Sequence, residues 1–232
     1  MCLPSTCISK LAASARSPVR SSGRAGAAPR DEDSALQSLI DYAERYGRVV
    51  RAADLTFNTP ADASAFKVVE RLKGGSTTDF GAPEAIPSSD KQAFDDVALD
   101  RSQALFRAGW RAFDAAVVTA RGRTLSTGPR GGGRGLDGIV EHVLGADAGY
   151  LSRLARKYKP DPAAEPEQQV AGIREAMLEA LEAAARGEIP ERGPRGGKLW
   201  PARFYLRRAL WHLLDHAWEI EDRSASDASC ND

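Results

Sequence analysis

The sequence predicts a mainly α-helical protein: a four-helix bundle over residues 90–223, preceded by a small helix-plus-strand extension. Three observations lead there. Residues 90–223 hold four segments with apolar residues at helical spacing. Those segments are separated by loops rich in Gly, Pro and Arg. All three histidines of the chain, His142, His212 and His216, fall in two of the four segments. Amphipathic helices of this length bury their apolar stripes most simply by packing on one another, and facing helices of a bundle often build metal sites.

Asp33 or Ser34 suits the cap of a first helix running to about Ala53, with Leu36, Leu39, Ile40, Ala43, Tyr46 and Val50 in helical period. Residues 66–72 carry Val and Phe and read as a strand, although their alternation is imperfect. Gly74-Gly75 breaks the chain, and Thr77 to Ser89 reads as an extended linker. Asp90 opens a long helix to about Ala120, with Leu99, Phe106, Trp110, Phe113 and Val117 on one stripe. A second bundle helix spans about Asp137 to Lys157. A third runs from Glu167 to Arg186, with Val170, Ile173, Met177, Leu181 and Ala184 inward. Pro201 suits the first turn of the fourth, which continues to about Arg223. Residues 224–232 read as a frayed tail.

Residues 1–32 read as a disordered tail or a targeting segment. The first thirty hold one lysine, four arginines and no acidic residue, among many Ser and Ala. Formal net charge is zero, which argues against nucleic acid as the partner of the whole chain. No apolar run approaches the ~20 residues that cross a membrane. Cys2, Cys7 and Cys230 lie in the two tails, do not form a disulfide pattern, and fit a reducing cytoplasm.

His212 and His216 stand four residues apart, so a helix presents both imidazoles on one face. Such a pair holds zinc in many proteins, and His142 on a neighbouring helix would complete three ligands with one coordination position open. That face of the last helix also carries Tyr205, Arg208, Asp215, Glu219 and Arg223. It lies between an arc of Leu206, Leu210, Leu213, Ala217 and Ile220 and another of Trp211, Leu214 and Trp218. The competing reading is a solvent-facing polar stripe with ordinary surface histidines. Asp215 or Glu219 could orient an imidazole through its second nitrogen, and Glu219 could instead be a fourth ligand or a general base. Gly138, Gly145 and Gly149 share the face of His142 and imply either close helix packing or space for a metal and its ligand. Gly128-Pro129-Arg130-Gly131-Gly132-Gly133-Arg134 and Gly193-Pro194-Arg195-Gly196-Gly197-Lys198 each precede a histidine helix. The second departs from a phosphate-binding loop at Arg192 and Leu199. Arg130 and Arg195 remain candidates for steering an anionic cofactor.

The run Trp211-His212-x-x-x-His216-x-Trp218-Glu219-Ile220-Glu221-Asp222-Arg223 resembles the last helix of the DinB-like superfamily. Glu141-His142-Val143-Leu144 resembles its first histidine helix. The two Gly-Pro-Arg-Gly-Gly loops, and Val69-Glu70-Arg71 followed by Thr77-Thr78-Asp79-Phe80-Gly81, are similar to one bacterial branch. The resemblance covers roughly residues 35–223. It implies a four-helix bundle with His142, His212 and His216 on a divalent metal, zinc or nickel. It also implies, for some members, a transferase or isomerase reaction that uses a low-molecular-weight thiol such as mycothiol or bacillithiol. The expectations that follow are a cytoplasmic metalloenzyme activating a thiol or water for a small-molecule substrate, as a monomer or homodimer. The rivals are a non-catalytic metal or small-ligand binding protein and a metal-free helical interaction module.

Overall fold

The computed structural model describes residues 32–79, 81–128 and 133–225. Among them the fold is mainly helical: α1 (Glu32–Arg51), α2 (Ser76–Asp79), α3 (Asp96–Ala120), α4 (Leu136–Ser152), α5 (Pro166–Ala185) and α6 (Ala202–Ala225). Cys2, Cys7, Cys230 and Arg130 lie outside the described residues.

The long helices form where the apolar period is regular, and α3 and α5 have side-chain caps at their starts. In α3, Asp95 caps the start by accepting from the Ala98 N–H at 2.7 Å. The long helix therefore begins at Asp96 rather than Asp90. Pro166 opens α5, where the Glu165 N–H donates to Gln168 Oε1 at 3.1 Å. Leu99, Phe106, Trp110 and Phe113 of α3 are buried, as are Ile173, Met177 and Leu181 of α5. They join Leu210, Leu213, Leu214, Ala217 and Ile220 of α6 in one hydrophobic core.

Helix α6 is the centre of the packing, touching α3, α4 and α5, with its longest interface on α3. Gly109 permits that approach: a Cβ there would sit 2.6 Å from Leu210 Cδ1 and 3.2 Å from Leu213 Cδ2. Helix α1 lies on α3, and its Tyr42 ring stands 5.1 Å from the Trp218 ring of α6.

Residues 66–72 form no strand, and no strand occurs among the described residues. A strand needs a second backbone edge to pair with. Here Val69 is exposed, and side chains hold the segment instead. Arg71 Nε bonds Glu32 Oε2 at 2.7 Å, and Glu70 Oε2 accepts from the Ser88 N–H at 2.9 Å.

The segment after it is pinned to the first turns of α6 by three arginines. Arg207 forms a buried ion pair with Asp90, Nη2 to Oδ2 2.8 Å. It also donates to the Ala85 carbonyl at 3.1 Å. Arg203 Nη2 donates to the Ala93 carbonyl at 2.8 Å, and Arg208 Nη1 to that of Pro83 at 3.1 Å. Asp90 is thus no part of a helix cap. It is the buried counter-charge that docks the extension onto the histidine helix.

A second acid is buried inside the helices. Burial pushes the Asp147 carboxyl up to about 7, against the pull of Arg174. Arg174 of α5 pairs with Asp114 of α3 at 2.6 Å and lies over the Trp110 ring at 5.5 Å. Tyr205 of α6 and Tyr150 of α4 also feel the Asp147 charge.

Two predictions follow from this packing. The folded form holds the Asp147 proton more tightly than the unfolded chain. Its contribution to stability is complete below the ordinary carboxylate pKa near 4 and is lost as pH rises through about 7. Asp147→Asn removes that slope, so the variant gains on the wild type by up to about 4 kcal/mol above pH 7. Parallel stability–pH curves for the two proteins would refute the burial effect. The glycines give a contrast in sign. Gly149→Ala meets nothing within 4 Å and gains up to about 1 kcal/mol in melting experiments. Gly109→Ala forces Leu210 aside and loses about 1–3 kcal/mol.

Candidate metal centre

The three histidines meet where α4 crosses α6. His142 comes from the second turn of α4, and His212 and His216 from successive turns of α6. One ligand nitrogen from each lies within 4.8 Å of the others. His212 Nε2 and His142 Nε2 are 3.2 Å apart. Two nitrogens at 2.0–2.1 Å from one tetrahedral ion stand about 3.3 Å apart. The ring centroids of His212 and His216 are 4.6 Å apart, and each lies 5.0 Å from that of His142.

Burial decides against the solvent-facing stripe. His212 and His216 are 7% and 8% exposed, and His142 is half-buried. The two apolar arcs of α6 lie on either side of this face, so both imidazoles are carried into the interior.

The electrostatics keep the nitrogens available as ligands. Burial, chiefly, with the charges of His216, His142, Arg208 and Arg134, holds His212 down to about 2. Burial and the His216 and Arg134 charges lower His142 as well. Neutral imidazole is the form that binds a metal. His212 Nδ1 is buried without a hydrogen-bond partner.

Glu219 fixes the third ring. His216 Nδ1 lies 2.7 Å from Glu219 Oε2, so the Nδ1–H donates to the carboxylate and Nε2 is the nitrogen left for a metal. The other oxygen, Oε1, accepts from Arg223 Nη1 at 2.8 Å. Arg223 Nε donates to the Ser126 carbonyl at 2.8 Å, and the Ser126 N–H returns a bond to the Arg223 carbonyl at 3.1 Å. These bonds run from the imidazole to the loop before α4. The His216 hydrogen bond is the largest influence holding Glu219 below the usual carboxylate range, with Arg223 acting in the same direction.

Comparisons with protein-family models, with curated proteins and with solved structures find no match. The donor set itself then has to be tested against a metal. Three imidazoles, one pair at the spacing of two ligands on one ion and a third ring oriented by a carboxylate, fit a divalent cation.

The glycines of α4 resolve an alternative that the sequence leaves open. A Cβ at Gly145 or Gly149 would meet nothing within 4 Å, so these two do not mark close helix packing. Both are exposed to solvent on α4 beside His142. Tyr205 lies fully buried against Phe106, ring centroids 6.0 Å apart, with its hydroxyl unpartnered. Arg195 is exposed on a turn closed by the Gly193 N–H to Gly197 carbonyl bond at 2.9 Å.

The arginines whose charges act on the imidazoles are Arg134 and Arg208. Arg208 stands one turn before His212, where the helical period already placed it. Arg134 ends the first of the two glycine-rich loops whose arginines the sequence offers as steering groups; Tyr150 escapes sequence reasoning. Tyr150 stands edge-on to His212, ring centroids 5.7 Å apart, and two turns beyond His142.

Glu219→Gln keeps the shape but weakens the acceptor that fixes the His216 tautomer. Metal affinity should fall by about 10–100-fold in a chelator competition. Unchanged affinity would show that Glu219 does not orient His216.

Proposed function

We propose that this chain is a divalent-metal protein of the DinB-like kind, a four-helix bundle of α3 to α6 that serves a thiol-dependent transferase or isomerase reaction. The observation that carries the metal reading is the convergence of His142, His212 and His216 within 4.8 Å on a buried face. The thiol reading rests on the resemblance of Trp211–Arg223 and of the His142 turn to that superfamily. Zinc or nickel suits a three-imidazole site.

Bound there, such an ion supplies a Lewis acid that lowers the pKa of a thiol or water at its open position. The chain's own residues prepare that position. Burial holds His212 neutral, and Glu219 holds the His216 proton on Nδ1. Arg223 keeps Glu219 in place from the far side. Tyr150 packs edge-on against His212, and Trp200 lies against Tyr150 with ring centroids 5.7 Å apart, which gives the site an aromatic wall. The open flank of α4 at Gly145 and Gly149 gives a small molecule its approach. The described residues contain no helix long and apolar enough to cross a membrane. A cytoplasmic location, where such thiols stay reduced, suits this reading.

A second reading, metal binding without turnover, draws on one specific observation. Both oxygens of Glu219 are engaged, by His216 and by Arg223, so the best-placed carboxylate is a positioning group rather than a free base.

The two readings part in a turnover assay. Zinc- or nickel-loaded protein is given a low-molecular-weight thiol and a panel of carbon electrophiles, and thiol consumption is followed. The expected result is catalysed S-transfer that falls about 100-fold or more in His212→Ala. Turnover that survives His212→Ala contradicts the proposed site, and stoichiometric metal without turnover favours the binding protein.

A further inference from the structure

The aromatic wall leads away from the histidines to a patch of unpaired positive charge. Three contacts in series trace it. The Tyr150 ring stands 5.7 Å from that of His212, the Trp200 ring 5.7 Å from Tyr150, and the Arg153 guanidinium 5.4 Å from Trp200. The Trp200 N–H also donates to the Arg153 carbonyl at 3.0 Å, which fixes the loop before α6 against the end of α4. Tyr150 and Trp200 are half-buried, and Arg153 is exposed.

Helix geometry puts Arg153 on the histidine side as well. It follows His142 by eleven residues, so it lies within about 20° of His142 around the α4 axis and about 16 Å along it. Tyr150 borders that face on the side of His212.

Arg153 does not stand alone. Arg156, Lys157 and Lys159 follow it, and Arg192, Arg195 and Lys198 belong to the loop that meets it; all are exposed. An antiparallel bridge sets Arg192 beside Lys198, two residues before Trp200. No acid interrupts residues 153–159 or 192–203. Among the described residues none of these cations pairs with a carboxylate, whereas Arg45, Arg174 and Arg207 each do.

Unpaired cations gathered at one place repel one another, and a multivalent anion relieves that repulsion. A lone carboxylate needs one arginine; several guanidinium and ammonium groups together suit a phosphate. Half-exposed aromatic rings between the metal centre and that patch suit an extended chain lying across them. On the metal reading given above, we propose that the ligand is an elongated molecule with a phosphate at its far end, about 16 Å from the end that meets the histidines. Its body lies along Tyr150 and Trp200. Arg153, with Arg192 and Lys198 across the Trp200 contact, holds the phosphate.

The test uses the full chain loaded with cobalt(II) and two thiols that differ in one group, 4′-phosphopantetheine and pantetheine. Each is titrated while the sulfur-to-cobalt absorption in the near ultraviolet is followed. The phosphorylated thiol should bind about tenfold or more tighter. That preference should fall towards unity when Arg153→Gln and Lys198→Gln are combined. It should persist in Arg107→Gln, which removes an exposed arginine of α3. Cobalt uptake by each variant, read in the visible spectrum before thiol is added, shows that the site is intact. Equal binding of the two thiols by the unsubstituted protein, or no sulfur-to-cobalt absorption from either, would overturn the proposal. A preference that survives the double variant, or that Arg107→Gln reduces as much, would overturn it as well, because the phosphate would then be held elsewhere or by overall charge. Failure to take up cobalt at all would remove the metal reading and this proposal with it. That outcome is visible before either thiol is added, so the two failures are distinct.

Discussion

The burial of two imidazoles on the central helix is the constraint on which the rest of the structure depends. Helix α6 supplies Leu210, Leu213, Leu214, Ala217 and Ile220 to the core and presents His212 and His216 from the stripe between its apolar arcs. Burying polar nitrogen without a partner costs about 1–3 kcal/mol per group. The protein meets that cost for His216 with Glu219, yet leaves His212 Nδ1 unpartnered and brings His212 Nε2 to 3.2 Å from His142. A fold that needed only stability would place leucine there. A cation between the three rings gives one nitrogen of each imidazole a common partner.

The surroundings of the site follow from holding α6 in place. Its first turns carry Arg203, Arg207 and Arg208, which bind the segment from Pro83 to Ala93. Its last turns carry Glu219 and Arg223, which tie His216 to the loop at Ser126. The extension and the loop before α4 are thus attached to the two ends of the histidine helix. Residues 81–93 reach the site through Arg208, whose guanidinium joins the Pro83 carbonyl to the aromatic wall beside His212. The pair Asp90–Arg207 makes this docking specific. Two opposite charges buried together tolerate little displacement, since removing either leaves the other unpaired at a cost of about 3–5 kcal/mol.

Much of this was legible in the sequence because helical periodicity is a local signal. The stripes Leu99–Phe106–Trp110–Phe113 and Ile173–Met177–Leu181 are the buried faces observed. The spacing of His212 and His216 placed them on one face, and their confinement with His142 to two helices anticipated the cluster. What was not legible depends on contacts across long stretches of chain. The Val-rich segment 66–72 has strand-forming residues, but no neighbouring backbone edge exists for it, so it stays irregular. Asp90 looked like a helix start because an acid before an apolar stripe usually is one. Its partner, Arg207, lies 117 residues away. The arginines near the imidazoles were sought in the glycine-rich loops at Arg130 and Arg195, where composition is conspicuous. Arg134, which ends the first of those loops, lies against Gly138 of α4, a relation that appears only when the chain is folded.

The most direct test of the central claim is elemental analysis of the purified full chain beside His142→Ala and His212→Ala. About one equivalent of zinc or nickel per chain, lost in both variants, is the result that a site shared by α4 and α6 requires. Purified protein without metal, and with no uptake after incubation with either ion, would contradict it. The buried histidines would then be a polar element of the core, and α6 the centre of a helical binding module.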